Sequence, residues 1–333
     1  MGKIFAYFIY LLTQAVTTAV GWMSRKTLRR TASFIGWVMY IIPGFGSLCR
    51  KNIHAAFPEM PDEKVRETAL KSLQNLVLTL EEFFWIQRHP EKFTEYLDRQ
   101  DCEECCLAGL AHTASGKSAI LVTPHLGNWE FAGRTLASYY KFRMATVVRS
   151  SRNPYLDKLI SDGRKSGDVK IIFSKGAAKA MHHAMNDGYA IGILIDQNTR
   201  VRHGGVFVNM FGLPVPVSRA PAVLAKGKDC FIAVGTVLRD GDRYRAILRQ
   251  LPKPSSEYAS DEELIQAITI ISEEFIRMAP EQYLWMYKRF QYIPPDVSEE
   301  VRKRFPDYAI ETTPSFYSNA ERRCNKKRNK DWQ

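Results

Sequence analysis

A histidine and a carboxylate five residues apart are the clearest chemical signal in the chain: His125 and Glu130, within Pro124-His125-Leu126-Gly127-Asn128-Trp129-Glu130. The apolar run from Ser118 to Thr123 reads as a buried strand, so His125 stands at its mouth and Glu130 in the first turn of the next helix. Placed so, the two side chains can meet, and the carboxylate would fix the imidazole tautomer and steady its positive charge, as a general base requires. Gly127 leaves room for backbone to approach a substrate, and the free N–H groups of the new helix face a developing oxyanion. The same spacing also arises from a solvent-facing histidine with an unrelated glutamate. Its weight therefore comes from the rest of the chain.

The elements that must position this pair follow from hydrophobic periodicity. Pro61-Asp-Glu opens a helix with proline early and acids in the first turn, and Val65, Ala69, Leu73, Leu76, Val77, Leu80 and Phe84 give it an apolar stripe. Short apolar runs then alternate with helix-compatible stretches. The runs are Ala119 to Val122, Met144 to Val148, Val169 to Phe173, Ile191 to Ile195 and Phe231 to Leu238. The helical stretches are Trp129 to Tyr140, Pro154 to Lys165, Lys175 to Asn186 and Ser218 to Ala225. This alternation predicts an α/β fold with a mostly parallel central sheet flanked by helices. Tyr244 to Leu251 would pair antiparallel with the strand before it across Asp240-Gly241-Asp242, and a last helix runs from Glu262 to Met278.

The chain has 333 residues, 45% of them apolar and 25% charged, which is ample for a packed core. A net charge of +12 asks for an acidic partner: anionic lipid, nucleic acid or an acidic protein. The N-terminus selects the first. Ile4 to Met23 carries no charge and, at 20 residues, matches a hydrocarbon core of about 30 Å. Arg25, Lys26, Arg29 and Arg30 follow it against Lys3 before it, a bias that predicts a cytoplasmic body. Thr13, Gln14, Thr17 and Thr18 share one helix face, so a tilted or interfacial helix is the alternative to a span. Nucleic acid is not expected, because the cations gather at this flank and in the tail without a recognition motif.

Several other readings fail. Cys102-Glu-Glu-Cys105-Cys106 resembles half a zinc site but has no second pair at finger spacing, so no metal is expected. Gly116-Lys117-Ser118 ends like a P-loop, yet Ala111 stands where the first glycine belongs. The chain has neither a G-x-S-x-G elbow nor a dinucleotide fingerprint, and no cofactor is expected.

The ordered blocks resemble the lipid A biosynthesis (lauroyl/myristoyl-type) acyltransferases of the lysophospholipid, or glycerolipid, acyltransferase-like superfamily. They are Asn52-Ile-His-Ala-Ala-Phe57-Pro58-Glu59, the His125–Glu130 block, Val148-Arg149 with Asn153-Pro154, and Asp196-Gln197. Gly205-Val-Phe-Val with Phe211-Gly212-Leu-Pro214, and Ala279-Pro280-Glu281-Gln282-Tyr283-Leu284-Trp285 with Lys288-Arg289-Phe290, complete them. Val234-Gly235 departs from the superfamily's common Val-Pro step.

The resemblance implies an acyl chain moved from an acyl carrier protein thioester to a hydroxyl of a glycolipid acceptor, a lipid A precursor, at the bacterial inner membrane. A thiolate leaves readily, because a thiol pKa of about 8.5 lies far below that of an alcohol, so no covalent enzyme intermediate is needed. His125 oriented by Glu130 would then generate the nucleophile, with Gly127 and Asn128 near the oxyanion. Arg149 and Arg164 are candidates to hold phosphate or carboxylate groups of the acceptor, where a guanidinium fork fits. Asp196, at a strand's C-terminal end, stands where open α/β sheets bind ligands, or else caps a turn. Phe207 and Phe211 are candidates to wall the acyl chain, with ordinary core as the alternative. The implied organisation is a membrane anchor with a basic flank at residues 1–30, an acyltransferase domain at 31–294, and a basic, flexible tail at 295–333. A same-superfamily enzyme acting on a glycerophospholipid or another glycolipid is the rival reading; a non-catalytic basic membrane protein leaves the His–Glu pair unexplained.

Overall fold

Residues 119–122 alternate between two hydrophobic clusters, Ala119 and Leu121 in one and Ile120 and Val122 in the other, all four buried. A strand buried on both faces belongs inside a sheet covered by helices on both sides. The computed structural model, which describes residues 3–318 apart from Arg149, Arg152, 165–166 and 174–175, shows that architecture. Its strands are β1 (Leu97–Asp98), β2 (Ser118–Val122), β3 (Met144–Val148), β4 (Val169–Phe173), β5 (Ala190–Ile193), β6 (Gly205–Met210), β7 (Leu213–Ser218), β8 (Cys230–Asp240) and β9 (Arg243–Gln250), with short β10 (Tyr292–Ile293) and β11 (Ile310–Glu311). The main sheet runs β1-β9-β8-β2-β5-β3-β4 and is parallel except at the β8–β9 hairpin. Strands β2 and β5 are therefore neighbours, which sets the C-terminal end of β5 beside His125.

The helices are α1 (Lys3–Gly21), α2 (Arg25–Ile41), α3 (Phe45–Ala56), α4 (Asp62–Arg88), α5 (Pro90–Tyr96), α6 (Glu103–Ala114), α7 (Trp129–Arg134), α8 (Pro154–Gly163), α9 (Ala177–Asn186), α10 (Ala220–Ala225), α11 (Asp261–Met278), α12 (Glu299–Arg302) and α13 (Pro314–Tyr317). The expected helix from Trp129 to Tyr140 forms as α7 continued by a π-helical turn, Thr135–Tyr139.

Three expectations change. The loop around Phe207 and Phe211 is an antiparallel ribbon, β6 on β7, separate from the main sheet. Pro214 and Pro216 argue against a central strand, but in a two-stranded ribbon each strand is an edge, where a missing N–H is tolerated. Its two-residue turn puts Phe211 at φ 54° and Gly212 at φ 74°, both left-handed, as tight hairpins of primed type require.

Nor does the expected flexible tail begin at 295. The segment to 318 folds back: β10 pairs with β11, and Phe305 and Phe316 are buried. Arg304 Nη2 donates to the carbonyls of Ala55 (3.1 Å) and Phe211 (2.7 Å), and Tyr308 bonds Asn52. Spaced aromatics, which carry no helical or strand period, anchor this stretch. The basic cluster from Arg322 to Lys330 lies outside the described residues.

The third concerns the N-terminus. Among the described residues no single helix is long and apolar enough to cross a membrane. Helix α1 lies on the body: the carbonyl of Ala6 accepts from Asn153 Nδ2 (3.0 Å), and that of Gly21 bonds His89 Nε2 (3.0 Å). Trp85 Nε1 donates to the carbonyl of Met23 (2.9 Å), and Arg88 stacks on Trp22. The stretch to Met23 breaks at Gly21 because these contacts turn the chain into α2.

Candidate active site

His125 follows β2 through Thr123 and Pro124, in a segment stitched between β8 and the loop before β10. Leu284 N–H donates to the His125 carbonyl (3.0 Å) and Thr236 Oγ1 to that of Leu126 (2.9 Å). Gly127 lies at φ 62°, and a Cβ there would sit 2.1 Å from the Val237 carbonyl oxygen, so only glycine fits. Its N–H donates to Gln282 O (3.0 Å), and the Asn128 N–H donates to Val237 O (2.7 Å). Asn128 is fully buried; its Nδ2 donates to Glu82 (2.8 Å) and its Oδ1 caps α7 by accepting from Phe131 N–H (3.0 Å). Gly127 and Asn128 thus spend these donors on the fold, and the structure gives them a positioning role in place of the expected oxyanion contacts.

A polar stripe on α4 supports this segment. Asn75, Thr79 and Glu82 recur at helical spacing and are buried. Thr79 Oγ1 donates to the Gly127 carbonyl (3.0 Å), and Glu82 pairs with Arg239 and accepts from Tyr244. The periodicity expected for α4 runs into this stripe: Leu80 is exposed, and Thr79, Glu82 and Phe83 face inward instead.

The carboxylate on the imidazole is Asp196, where Glu130 was expected. Asp196 Oδ1 lies 2.6 Å from His125 Nδ1, and its Oδ2 accepts the His125 backbone N–H at 2.8 Å. One side chain thereby fixes both the ring and the backbone that carries it. Glu130 instead takes a fork from Arg164, Nε to Oε2 at 2.9 Å and Nη2 to Oε1 at 2.5 Å. Five residues of spacing cannot show which strand end comes alongside; the β2–β5 pairing can. Asp196 has backing that sequence reasoning missed. Arg289, fully buried, donates to Asn198 Oδ1 (2.8 Å) and Pro216 O (3.3 Å) and lies close enough for its charge to act on Asp196, beside which buried Tyr283 also lies. A lone arginine between Lys288 and Phe290 in an aromatic run was the available signal.

Protonation follows from this geometry. Burial pushes the His125 imidazole down, but the charge and hydrogen bond of Asp196, with a smaller push from Glu130, outweigh it and raise its pKa above 6.5. Burial pushes the Asp196 carboxyl up, yet His125 and Arg289 hold it below its ordinary value. The tyrosine beside them, Tyr283, is held well above its ordinary range by burial and by the Asp196 charge.

A cavity of about 850 Å³ opens on His125. Glu130, Arg164, Trp129 and Gln197 stand with His125 along its polar part, and Leu121, Phe131, Leu136 and Met144 wall an apolar part. Trp129 packs edge-on to the imidazole at 5.3 Å, and Gln197 Nε2 lies 3.5 Å from its Nε2. Cys102 and Cys106 also line the cavity.

An α/β sheet thus carries this strand-end pair beside a large cavity that is polar at the imidazole and apolar in part. The model of the bacterial lipid A biosynthesis acyltransferases matches residues 3–292. The chain belongs to that family. It is similar to the lipid A biosynthesis lauroyltransferase of Escherichia coli K12, at 26% identity over 262 residues covering 75% of this chain and 80% of the relative. It is also similar to the palmitoleoyltransferase of that strain, at 23% over 284 residues, 83% of this chain and 84% of the relative. A lipid A biosynthesis acyltransferase of Shigella flexneri matches to the same extent.

The remaining expected site residues of this acyltransferase divide. Arg164 lines the cavity, while Arg149 lies outside the described residues. Phe207 and Phe211 do not line it. Phe207 packs on Phe316 (5.6 Å), and buried Phe211 on Phe57 (5.1 Å) and Trp285 (6.0 Å). Phe211 is core, and half-buried Phe207 packs on the C-terminal segment through Phe316 and Tyr317.

Proposed function

We propose that this acyltransferase moves a fatty acyl chain from an acyl carrier protein thioester to a hydroxyl of a lipid A precursor, at the cytoplasmic face of the bacterial inner membrane. The observation that carries the reading is the imidazole held at Nδ1 by Asp196, on a cavity walled in part by Leu121, Phe131, Leu136 and Met144. With the Nδ1 proton committed to the carboxylate, Nε2 holds the free lone pair. Nε2 takes the acceptor hydroxyl's proton as its oxygen attacks the thioester carbon. The tetrahedral oxyanion collapses, the C–S bond breaks, and the leaving thiolate receives the proton from the imidazolium. Asp196 is the positioning residue that stabilises the transient cation. The Arg164–Glu130 fork, with Arg149, is the candidate cradle for anionic groups of the acceptor. Burying the acyl chain in the apolar part of the cavity contributes roughly 0.8 kcal/mol per methylene.

Mass spectrometry of lipid A from cells with and without the gene tests this. A shift by one acyl chain that returns with the wild-type gene is expected. An unchanged lipid A together with a newly acylated glycerophospholipid would replace the acceptor.

A further inference from the structure

The N-terminal cations lie on one face of α2, and that face is fixed. Leu28, Ala32 and Gly36 point inward, and a Cβ on Gly36 would sit 2.6 Å from the Gln74 backbone, so α2 packs on α4 without room to rotate. Lys26 and Arg30 are exposed and Arg25 and Arg29 half-buried in the first turns, and exposed Phe34, Trp37 and Ile41 follow them. Phe34 is 64%, Trp37 47% and Ile41 56% exposed, and Ile42 and Phe45 continue the patch around the turn into α3. Contiguous exposed apolar surface of this kind marks an interaction site.

Between the outer face of α2 and the β8–β9 turn is a second cavity, about 880 Å³, lined by these four cations with Phe34 and Trp37. Two of the cations build its wall. Arg25 donates to the Asp242 carbonyl (2.7 Å) and stands 4.0 Å over Tyr96, and Arg29 donates to the Gly241 carbonyl (2.9 Å) and pairs with Asp242. Lys26 and Arg30 are exposed and have no partner among the described residues. Four cations therefore face one lining carboxylate.

We propose that this face docks on the bilayer, with the cleft taking the phosphate of an anionic phospholipid and the Phe34–Trp37–Ile41 side entering the acyl region. Because α2 is packed side-on against α4, its exposed cations and apolar side chains are presented together on one face. Cations at phosphate level and apolar side chains below them suit one lipid leaflet. An acidic protein would match the cations and leave the apolar side uncovered. The proposal adds a place of rest on the membrane to the acyl-transfer reading. It fails separately from that reading, because vesicle binding does not report acyl transfer.

The test uses the full chain and sedimenting vesicles of phosphatidylcholine with or without phosphatidylglycerol. Lys26→Gln with Arg30→Gln removes the two unpaired cations and leaves the structural Arg25 and Arg29 in place. At roughly 1 kcal/mol per cation near an anionic surface, binding to phosphatidylglycerol vesicles should fall about 30-fold, with acyl transfer in detergent micelles unchanged. Trp37→Ser should weaken binding to both vesicle types. Undiminished binding of the double variant to phosphatidylglycerol vesicles would overturn the proposal. So would poorer saturation by acyl carrier protein with vesicle binding intact, which would assign the cleft to an acidic protein.

Discussion

Replacing Asp196 by asparagine isolates what the carboxylate does for His125. The two oxygens of Asp196 serve two donors, the backbone N–H at 2.8 Å and the ring at 2.6 Å. An asparagine has one oxygen. If it keeps the backbone N–H, which can only donate, its amide nitrogen faces Nδ1, and Nδ1 must then accept. The neutral ring now carries its proton on Nε2, where the base's lone pair was needed. A hydrogen bond to a charged group contributes about 1.5–3 kcal/mol, or roughly 10- to 150-fold in rate, and the tautomer change adds to it. Positioned proton transfer as a whole is worth about 10²–10⁴-fold, which sets the ceiling. We expect Asp196→Asn to lower kcat/KM by about 10²–10³-fold. The imidazole must be neutral to act, so wild-type activity should rise with pH through a midpoint above the ordinary histidine value. Without the Asp196 charge, burial is opposed only by the smaller push from Glu130, and the residual activity should have its midpoint shifted down. The assay is acyl transfer from a radiolabelled carrier thioester across pH, with circular dichroism to confirm folding. A folded Asp196→Asn variant with near-normal kcat/KM, or with an unmoved midpoint, would refute the pairing.

Three further outcomes are expected. Glu130→Gln should leave that pH midpoint nearly in place, since Glu130 is the smallest contributor to it. It should instead lower the melting temperature by loosening the fork to Arg164, at about 1.5–3 kcal/mol for a charged hydrogen bond; a midpoint shift as large as that of Asp196→Asn would return Glu130 to the imidazole. Arg149→Lys keeps charge and loses the fork, so the acceptor KM should rise more than kcat falls, and unchanged acceptor saturation would remove Arg149 from the site. Gly2→Cys should resist a membrane-impermeant maleimide added outside intact spheroplasts, because α1 is held on the body; external labelling would make α1 a span.

The sheet was legible because its central strands β2 and β8 are buried on both faces and read as continuous apolar runs, and β3 and the edge strand β4 also fall close to where such runs lie. The β6–β7 ribbon was not, because Pro214 and Pro216 carry the signature of a loop and only a two-stranded ribbon spares their missing N–H groups. The C-terminal segment to 318 escaped for a related reason: Phe305, Tyr308 and Phe316 anchor it at irregular spacing. In the site, the motif located His125 and misassigned its partner. Spacing along the chain carries no information about which strand lies next door, and Asp196 reaches Nδ1 only because β5 pairs with β2. Asn75, Thr79 and Glu82 were invisible to a hydrophobic reading of α4, since polar residues at helical spacing ordinarily face water. Here they hold the backbone of the segment that carries His125.

The most direct test of the central claim is a single-turnover measurement on folded His125→Ala, with acyl carrier protein thioester and lipid A precursor both bound. The imidazole touches the reacting atoms in this account, so the acyl-transfer step should slow by about 10²–10⁴-fold while substrate binding and the melting temperature change little. A folded His125→Ala enzyme that transfers its acyl chain at close to the wild-type rate would contradict it.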